Sequence, residues 1–210
     1  MAPSKPLKPM PATDDEIREK YLERAIRELN SLTRELQSCP YCPRGNLMPV
    51  LGSGHPQADV MMLKYAPLPS EVEEGVAFYG RAGGALMKSL KRLSIDPLAV
   101  YGTLCVKCPL SDPSLADFAC VSRVVEELAI VQPKIVVVMG SDALAALGEM
   151  DIPLARPLEP RLGEVQRLTP TVDALYVPSI DESLDEQDSK RAFWKSFRVL
   201  GEWYAAQPPY

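Results

Sequence analysis

The run Ile135-Val136-Val137-Val138-Met139, introduced by Pro133, constrains the fold of this chain more than any other segment. β-branched residues dominate it, which favours the extended backbone, and the run is too short for a stable helix. Apolar side chains at every position mean that both faces of the strand are covered, as in a parallel sheet between helices. Val60-Met61-Met62-Leu63 is a second such run, and residues 100–106 and 174–177 read as two more strands. Segments of helical periodicity separate them. Thr13 and Glu16 form a capping box before Ile17, Tyr21, Ala25, Leu29, Leu32 and Leu36, one face of a helix ending near Gln37. A second helix is expected over residues 85–93. A third starts at Asp112-Pro113-Ser114 with Leu115, Phe118, Val121, Val124 and Leu128 inward. Gly140-Ser141 opens a short helix that Gly148 ends. Ser183 with Glu186 is expected to cap the last helix, which carries Phe193, Trp194, Phe197, Leu200 and Tyr204. This alternation implies an α/β fold, a three-layer α/β/α sandwich with a mostly parallel central four-stranded sheet. Ligands in such folds bind beyond the carboxyl ends of the strands. The loops after Leu63, Val106, Met139 and Val177 are therefore the places to look for function.

Composition limits the chemistry those loops can carry. A single histidine excludes a multi-histidine metal site, and any Ser-His-Asp triad would need His55, which falls in a Gly-His-Pro turn and is expected to face solvent. No apolar run reaches the roughly 18 residues of a membrane span. The first residues lack an apolar signal core, so a cytoplasmic protein is expected. The 210 residues fit one domain over residues 13–206. Before it, Pro3, Pro6, Pro9 and Pro11 make residues 1–12 a Pro-rich tail expected to be disordered.

Five cysteines in a reducing compartment point to metal rather than disulfides, since one would always be left unpaired. Cys39-x2-Cys42 is a short loop that turns two thiolates to one ion. Cys105 and Cys108 offer a second such pair, but Cys105 lies near the end of a strand, where residues i and i+3 face opposite ways. The competing set is Cys39, Cys42, Cys108 and Cys120. Four thiolates suit zinc or an iron–sulfur cluster equally.

Several motifs resemble one family, in order and with compatible spacing from about residue 25 to 200. Cys39-Pro40-Tyr41-Cys42, then Pro49 to Pro56 (Pro-Val-Leu-Gly-Ser-Gly-His-Pro) and Ala58-Asp59 before a buried strand, look like the opening of the iron–sulfur uracil-DNA glycosylases. Phe78-Tyr79-Gly80-Arg81-Ala82-Gly83 is similar to their Phe-Val-Gly-Arg-Ala-Gly, and Val106-Lys107-Cys108-Pro109 to their Val-Lys-Cys-Arg-Pro. Gln132 to Gly140 resembles their Arg-Pro-Lys-Val-Val-Val-Ala-Leu-Gly. The resemblance implies a structural [4Fe–4S] cluster on Cys39, Cys42, Cys108 and Cys120, with zinc as the alternative occupant and Cys105 left as a packing residue. It implies DNA as the partner. It also implies a base pocket from Tyr65, Ala66, Pro67, Phe78, Leu104 and Val177, with Phe78 the ring on which a flipped base stacks. Phosphates would meet Gly80, Arg81, Ala82, Gly83 and Ser179, the first four at a helix start.

Three loop positions depart from the family. Its Gly-Glu-Ala-Pro-Gly is Lys64-Tyr65-Ala66-Pro67-Leu68 here, so Tyr65 replaces the acid and is positioned to fill the pocket. Leu104 stands where an Asn reads the uracil edge, and an edge group left unpaired costs about 1–3 kcal/mol. Val177, in Tyr176-Val177-Pro178-Ser179, replaces a His that stabilises charge on the base, a loss of roughly 100–1,000-fold in rate. The expectation is a DNA-repair or damage-recognition protein that has lost ordinary uracil excision. Two alternatives remain. One is an active glycosylase of shifted base specificity, an N-glycosidic bond hydrolase drawing its acid from Glu71, Glu73, Glu74, Asp112 or Asp181. The other is a non-enzymatic module binding a protein partner through the Pro-rich tail or the acidic 181–188 segment. That segment would repel phosphates, whereas residues 78–108 carry Arg81, Lys88, Lys91, Arg92 and Lys107 against Asp96 alone.

Overall fold

The computed structural model describes residues 13–208. The expectation for the Pro-rich tail, residues 1–12, lies outside them. In chain order the main elements are α1 (Asp14–Ser38), β1 (Ser53–Gly54), β2 (Val60–Lys64), α2 (Pro69–Glu74), α3 (Gly80–Arg92) and β3 (Val100–Leu104). Then come α4 (Phe118–Val121), α5 (Arg123–Val131), β4 (Ile135–Met139), α6 (Ser141–Glu149), β5 (Val165–Arg167), β6 (Asp173–Val177) and α7 (Gln187–Ala205).

The sheet has six strands in the order β1-β3-β2-β4-β6-β5. β3, β2, β4 and β6 run parallel, and β1 and β5 add short antiparallel edges. The fold is α/β, with two short edge strands beyond the four of the expected sheet. β2, β3 and β4 are buried at every position, as their apolar runs require. Alternation then sorts side chains into two layers. Val60, Met62, Val100, Leu104, Val137 and Val177 pack with Leu86 and Leu90 of α3 and Phe193, Phe197 and Leu200 of α7. Met61, Leu63, Tyr101, Val136 and Val138 pack on the other face with Val124 and Val131 of α5 and Ala143 and Leu147 of α6.

The helices begin and end differently from the sequence expectation in four places, the slightest at Gly148, which lies inside α6 rather than ending it. α3 starts at Gly80, five residues early, and Gly83 in its first turn packs directly against the Phe78 carbonyl. The expected third helix is broken into a 3₁₀ turn at Pro113–Leu115, then α4 and α5. Leu115 and Phe118 are consequently exposed, since the break rotates them off the apolar face. Ser183 does not cap the last helix. It lies in a 3₁₀ turn, Glu182–Leu184, where its hydroxyl donates to the Ser179 carbonyl (2.6 Å), and α7 begins only at Gln187. The capping box at Thr13 and Glu16 forms as read, with both reciprocal bonds present. Ile17 and Tyr21 in the first turns of α1 are exposed, however, and only Ala25, Leu32 and Leu36 are buried. No helix among the described residues is long and apolar enough to cross a membrane.

Candidate functional site

The parallel register brings the last residues of the central strands into one row. Leu104 pairs with Lys64, Lys64 with Met139, and Met139 with Val177. Being in register, the four point to the same face, the layer that holds Phe78. Leu104, Met139 and Val177 offer no hydrogen-bonding side chain. Lys64 is therefore a charge at the centre of an apolar row, and its own exposure is 2%.

The Lys64 ammonium lies 5.6 Å from the centroid of the Phe78 ring. It is held from two sides, by Glu71 Oε2 at 2.7 Å and Asp181 Oδ2 at 3.0 Å. Glu71 is fully buried and has a second task. Its carboxylate accepts from the Leu68 N–H (2.7 Å), which caps the start of α2, and from the Phe78 N–H (2.6 Å), which anchors that residue ahead of α3. A buried ammonium with one carboxylate fully desolvated is tolerable only because every partner is satisfied. Removing the lysine would leave the fully buried Glu71 carboxylate without its counter-charge.

Phe78 itself is constrained. Its φ of 58° lies in the left-handed region, at a cost of about 1–2 kcal/mol for a residue with a side chain. Two glycines make the position possible. A Cβ on Gly83 would overlap the Phe78 carbonyl oxygen, and one on Gly102 of β3 would come within 2.6 Å of the ring. The ring thus meets Gly102 on the sheet and has the Lys64 ammonium within cation–π range.

Tyr65, one residue beyond Lys64, faces the opposite layer by the same alternation and packs with the cluster of Met61, Leu63 and Cys105. Burial there, with Asp142 nearby, pushes its phenol up from its ordinary range. The structure therefore does not bring Tyr65 to Phe78, Leu104 and Val177; the side chain that reaches them is Lys64. Ala66 and Pro67 are half-buried in the loop that follows. Arg81 is exposed and pairs with Asp185 at 2.6 Å. Ala82 and Gly83 are buried beneath the helix start, and Gly80 is exposed with φ 74°. The Ser179 hydroxyl accepts from the Glu182 N–H at 3.4 Å. The acidic stretch folds back on the chain's own cations: Asp181 on Lys64, Asp185 on Arg81, and Asp188 on Arg191 at 3.3 Å.

The cysteines form a second centre. The sulfurs of Cys42, Cys108 and Cys120 all lie within 4.8 Å of one another, and all three residues are buried. Cys39 is also buried, at the C-terminal end of α1, but its sulfur stands outside that group. Arg44 shapes the loop by donating to the carbonyls of Gln37 (2.7 Å) and Cys39 (3.2 Å). Asp117 caps α4 by accepting from the Ala119 N–H (2.8 Å), which sets the short helix carrying Cys120. The Cys108 and Cys120 sulfurs are 3.7 Å apart. Hydrogen bonding with Cys108, and then the backbone N–H groups of Lys107 and Cys108, brings the Cys120 thiol down to about 5. The same sharing, with burial, drives Cys108 up. Buried, unbridged sulfurs gathered this closely are a donor set that fits a thiophilic metal or cluster. Cys105 is elsewhere: fully buried in the α5 and α6 layer, with burial pushing its thiol up to about 12.

A buried polar network ties this centre to the sheet. Glu127 of α5 accepts from Tyr101 (3.1 Å) and Thr103 (2.8 Å) of β3 and pairs with Lys107 at 2.9 Å. Lys107, fully buried, also donates to the Leu104 carbonyl at 2.8 Å. Lys107 is thus held between Glu127 of α5 and the last residue of β3, one position before Cys108 in the chain. The sequence signal for both networks is a lysine inside or beside an apolar run. Its partners could not be read, because Lys64 and Asp181 are 117 residues apart.

Over 147 residues the chain is 31% identical to a Type-4 uracil-DNA glycosylase of Pyrobaculum aerophilum, covering 66% of this chain and 72% of that protein. It is 34% identical over 121 residues to a Type-4 uracil-DNA glycosylase of Sulfurisphaera tokodaii, 53% of this chain and 54% of the relative. A Type-4 uracil-DNA glycosylase of Archaeoglobus fulgidus is 24% identical over 195 residues, 88% of this chain and 97% of its own length. Residues 51–198 match the family described as the Uracil DNA glycosylase superfamily, and the chain belongs to that superfamily.

Proposed function

We propose that this chain is a cytoplasmic DNA-repair protein that binds DNA but has lost ordinary uracil excision. The observation that carries the reading is the Lys64 ammonium beside the Phe78 ring, held by Glu71 and Asp181. A flipped base needs an aromatic face, an edge reader and a donor for its developing negative charge. Here the ring is approached by the protein's own cation, and the flanking positions Leu104 and Val177 carry no polar group. Lys64 is a donor, but both carboxylates already engage it. DNA phosphates would meet residues 80–83 and Ser179, with Arg81 exchanging Asp185 for a phosphate. That pair is largely exposed and so contributes little to stability, which makes the exchange easy.

The same reading gives Cys39, Cys42, Cys108 and Cys120 a [4Fe–4S] cluster, zinc being the other metal that four thiolates suit. Such a group supplies a cross-link between the end of α1, the loop after β3 and α4. This chain's residues support it through Asp117, Arg44 and the Glu127–Lys107 pair. Iron and sulfide analysis of anaerobically purified protein tests the assignment; zinc alone would overturn the cluster.

For the activity, the measurement is single-turnover release of uracil from single- and double-stranded DNA by holo-protein. No release above the buffer blank is expected, together with salt-dependent binding to the same DNA. Robust uracil release overturns the proposal. Excision of another damaged base (hypoxanthine, xanthine or ethenocytosine) would instead establish a glycosylase of shifted specificity.

A further inference from the structure

Between α3 and the start of α7 runs a groove of about 690 Å³, which shares only Arg81 with the phosphate contacts proposed above. Arg81, Lys88 and Arg92 line it from α3, and Lys190 and Arg191 from α7. No acidic residue forms its wall, although Asp185 and Asp188 pair with Arg81 and Arg191 at the rim. Lys88 and Lys190 have no carboxylate partner among the described residues, and both are exposed. Trp194 forms part of the same groove, with the Arg92 guanidinium 5.0 Å from its ring centroid. The concentration is notable in a chain whose net charge is −5.

We infer that this groove binds a strand of single-stranded DNA, resting on the DNA-binding part of the proposed function but placing the contact away from the strand-end row. Grooves that hold single strands combine a line of cations with an aromatic ring on which a base stacks. Arg81 and Arg92 are separated by about 16 Å of helix, room for several nucleotides of an extended strand. Lys88 lies between them on the same helix, and Lys190 and Arg191 face them across the groove. A base stacking on Trp194 would leave Arg92 to bind the adjoining phosphate. The chain's own N-terminal tail is a poor occupant, because its only charged side chains before Asp14 are Lys5 and Lys8.

The test uses fluorescein-labelled oligothymidylate, which holds no uracil and no lesion, against full-length holo-protein. Binding that weakens linearly with the logarithm of salt is expected. K88E/K190E is expected to bind at least tenfold more weakly at low salt. The milder K88Q/K190Q is expected to lower the salt slope by about 1.4, roughly 0.7 for each phosphate contact removed. Bound oligonucleotide is expected to quench tryptophan emission in W203F but not in W194F, which assigns the quench to the groove. Circular dichroism checks that each variant is folded. Wild-type affinity in K88E/K190E overturns the groove and leaves DNA binding at the strand-end loops standing. So does a quench that survives in W194F. Absence of any oligothymidylate binding also overturns it, whereas the proposed function is decided by its own assay on uracil-containing and damaged DNA. An acidic peptide that binds while oligothymidylate does not would overturn the DNA assignment of the groove.

Discussion

At the scale of single residues, Lys64 concentrates the consequences of the sequence. A lysine at the end of a buried strand is stable only because Glu71 and Asp181 reach it, and the carboxylates are tolerable only because of the lysine. Truncating it to Lys64→Ala strands a fully buried Glu71 and is expected to destabilise the fold by about 3–5 kcal/mol. The triple change Lys64→Met, Glu71→Gln, Asp181→Asn removes all three charges together and is expected to recover most of that loss. Urea unfolding followed by circular dichroism measures both. Equal stability of Lys64→Ala and the parent would show that the ion triad does not hold the site. Tyr65 illustrates the contrast between neighbours. The two side chains are adjacent in sequence yet separated by the thickness of the sheet, because successive strand residues face opposite ways.

At the scale of elements, β3, α2 and α3 cooperate to fix one ring. Glu71 of α2 binds the Phe78 N–H, Gly83 of α3 clears its carbonyl, and Gly102 of β3 clears its ring. Gly102→Ala would place a methyl against the ring edge, and β3 is central and cannot shift. The expected cost is about 1–3 kcal/mol, typical of overpacking, with Phe78 displaced toward Lys64. The lowered thermal midpoint measures the first effect, and a changed Phe78 ring environment by NMR the second. The Glu127 network plays the corresponding role on the other face. It joins α5 and β3 to the loop that carries Cys108, so the thiols and the strand-end row share a single rigid support.

At the scale of the whole molecule, the thiols draw together segments that the sheet does not connect. α1 is long, but only Ala25, Leu32 and Leu36 are buried, so its apolar contact with the body is modest. A bound metal would hold its C-terminal end through Cys39 and Cys42. A cross-link between Cys42 and Cys108 closes a loop large enough to contribute about 4 kcal/mol through chain entropy alone. Cys120→Ser is therefore expected to lose metal, lower the thermal midpoint, and speed amide exchange over residues 14–38 before the central strands. Hydrogen exchange read by mass spectrometry resolves the order. Unchanged exchange in α1 would mean that the helix docks without the thiols.

The sequence by itself determined the layers and the four central strands' identity, because continuous apolar runs can be buried on both faces only between helices. It also set out the cysteine spacing and, through resemblance, the family. Local signals were less faithful where packing overrode them, as in the broken helix at residues 113–131 and the 3₁₀ turn that takes Ser183 from its expected cap. Only the tertiary structure decided what stands at the Phe78 ring. The motif points to Tyr65, whereas strand alternation brings Lys64 to the ring instead, and register sets it between Leu104 and Met139. Its partner Asp181 comes from the far end of the chain, and no local pattern encodes such a pairing. Burial then turns that meeting of charges into a fixed feature, since Lys64 cannot leave without stranding the buried Glu71.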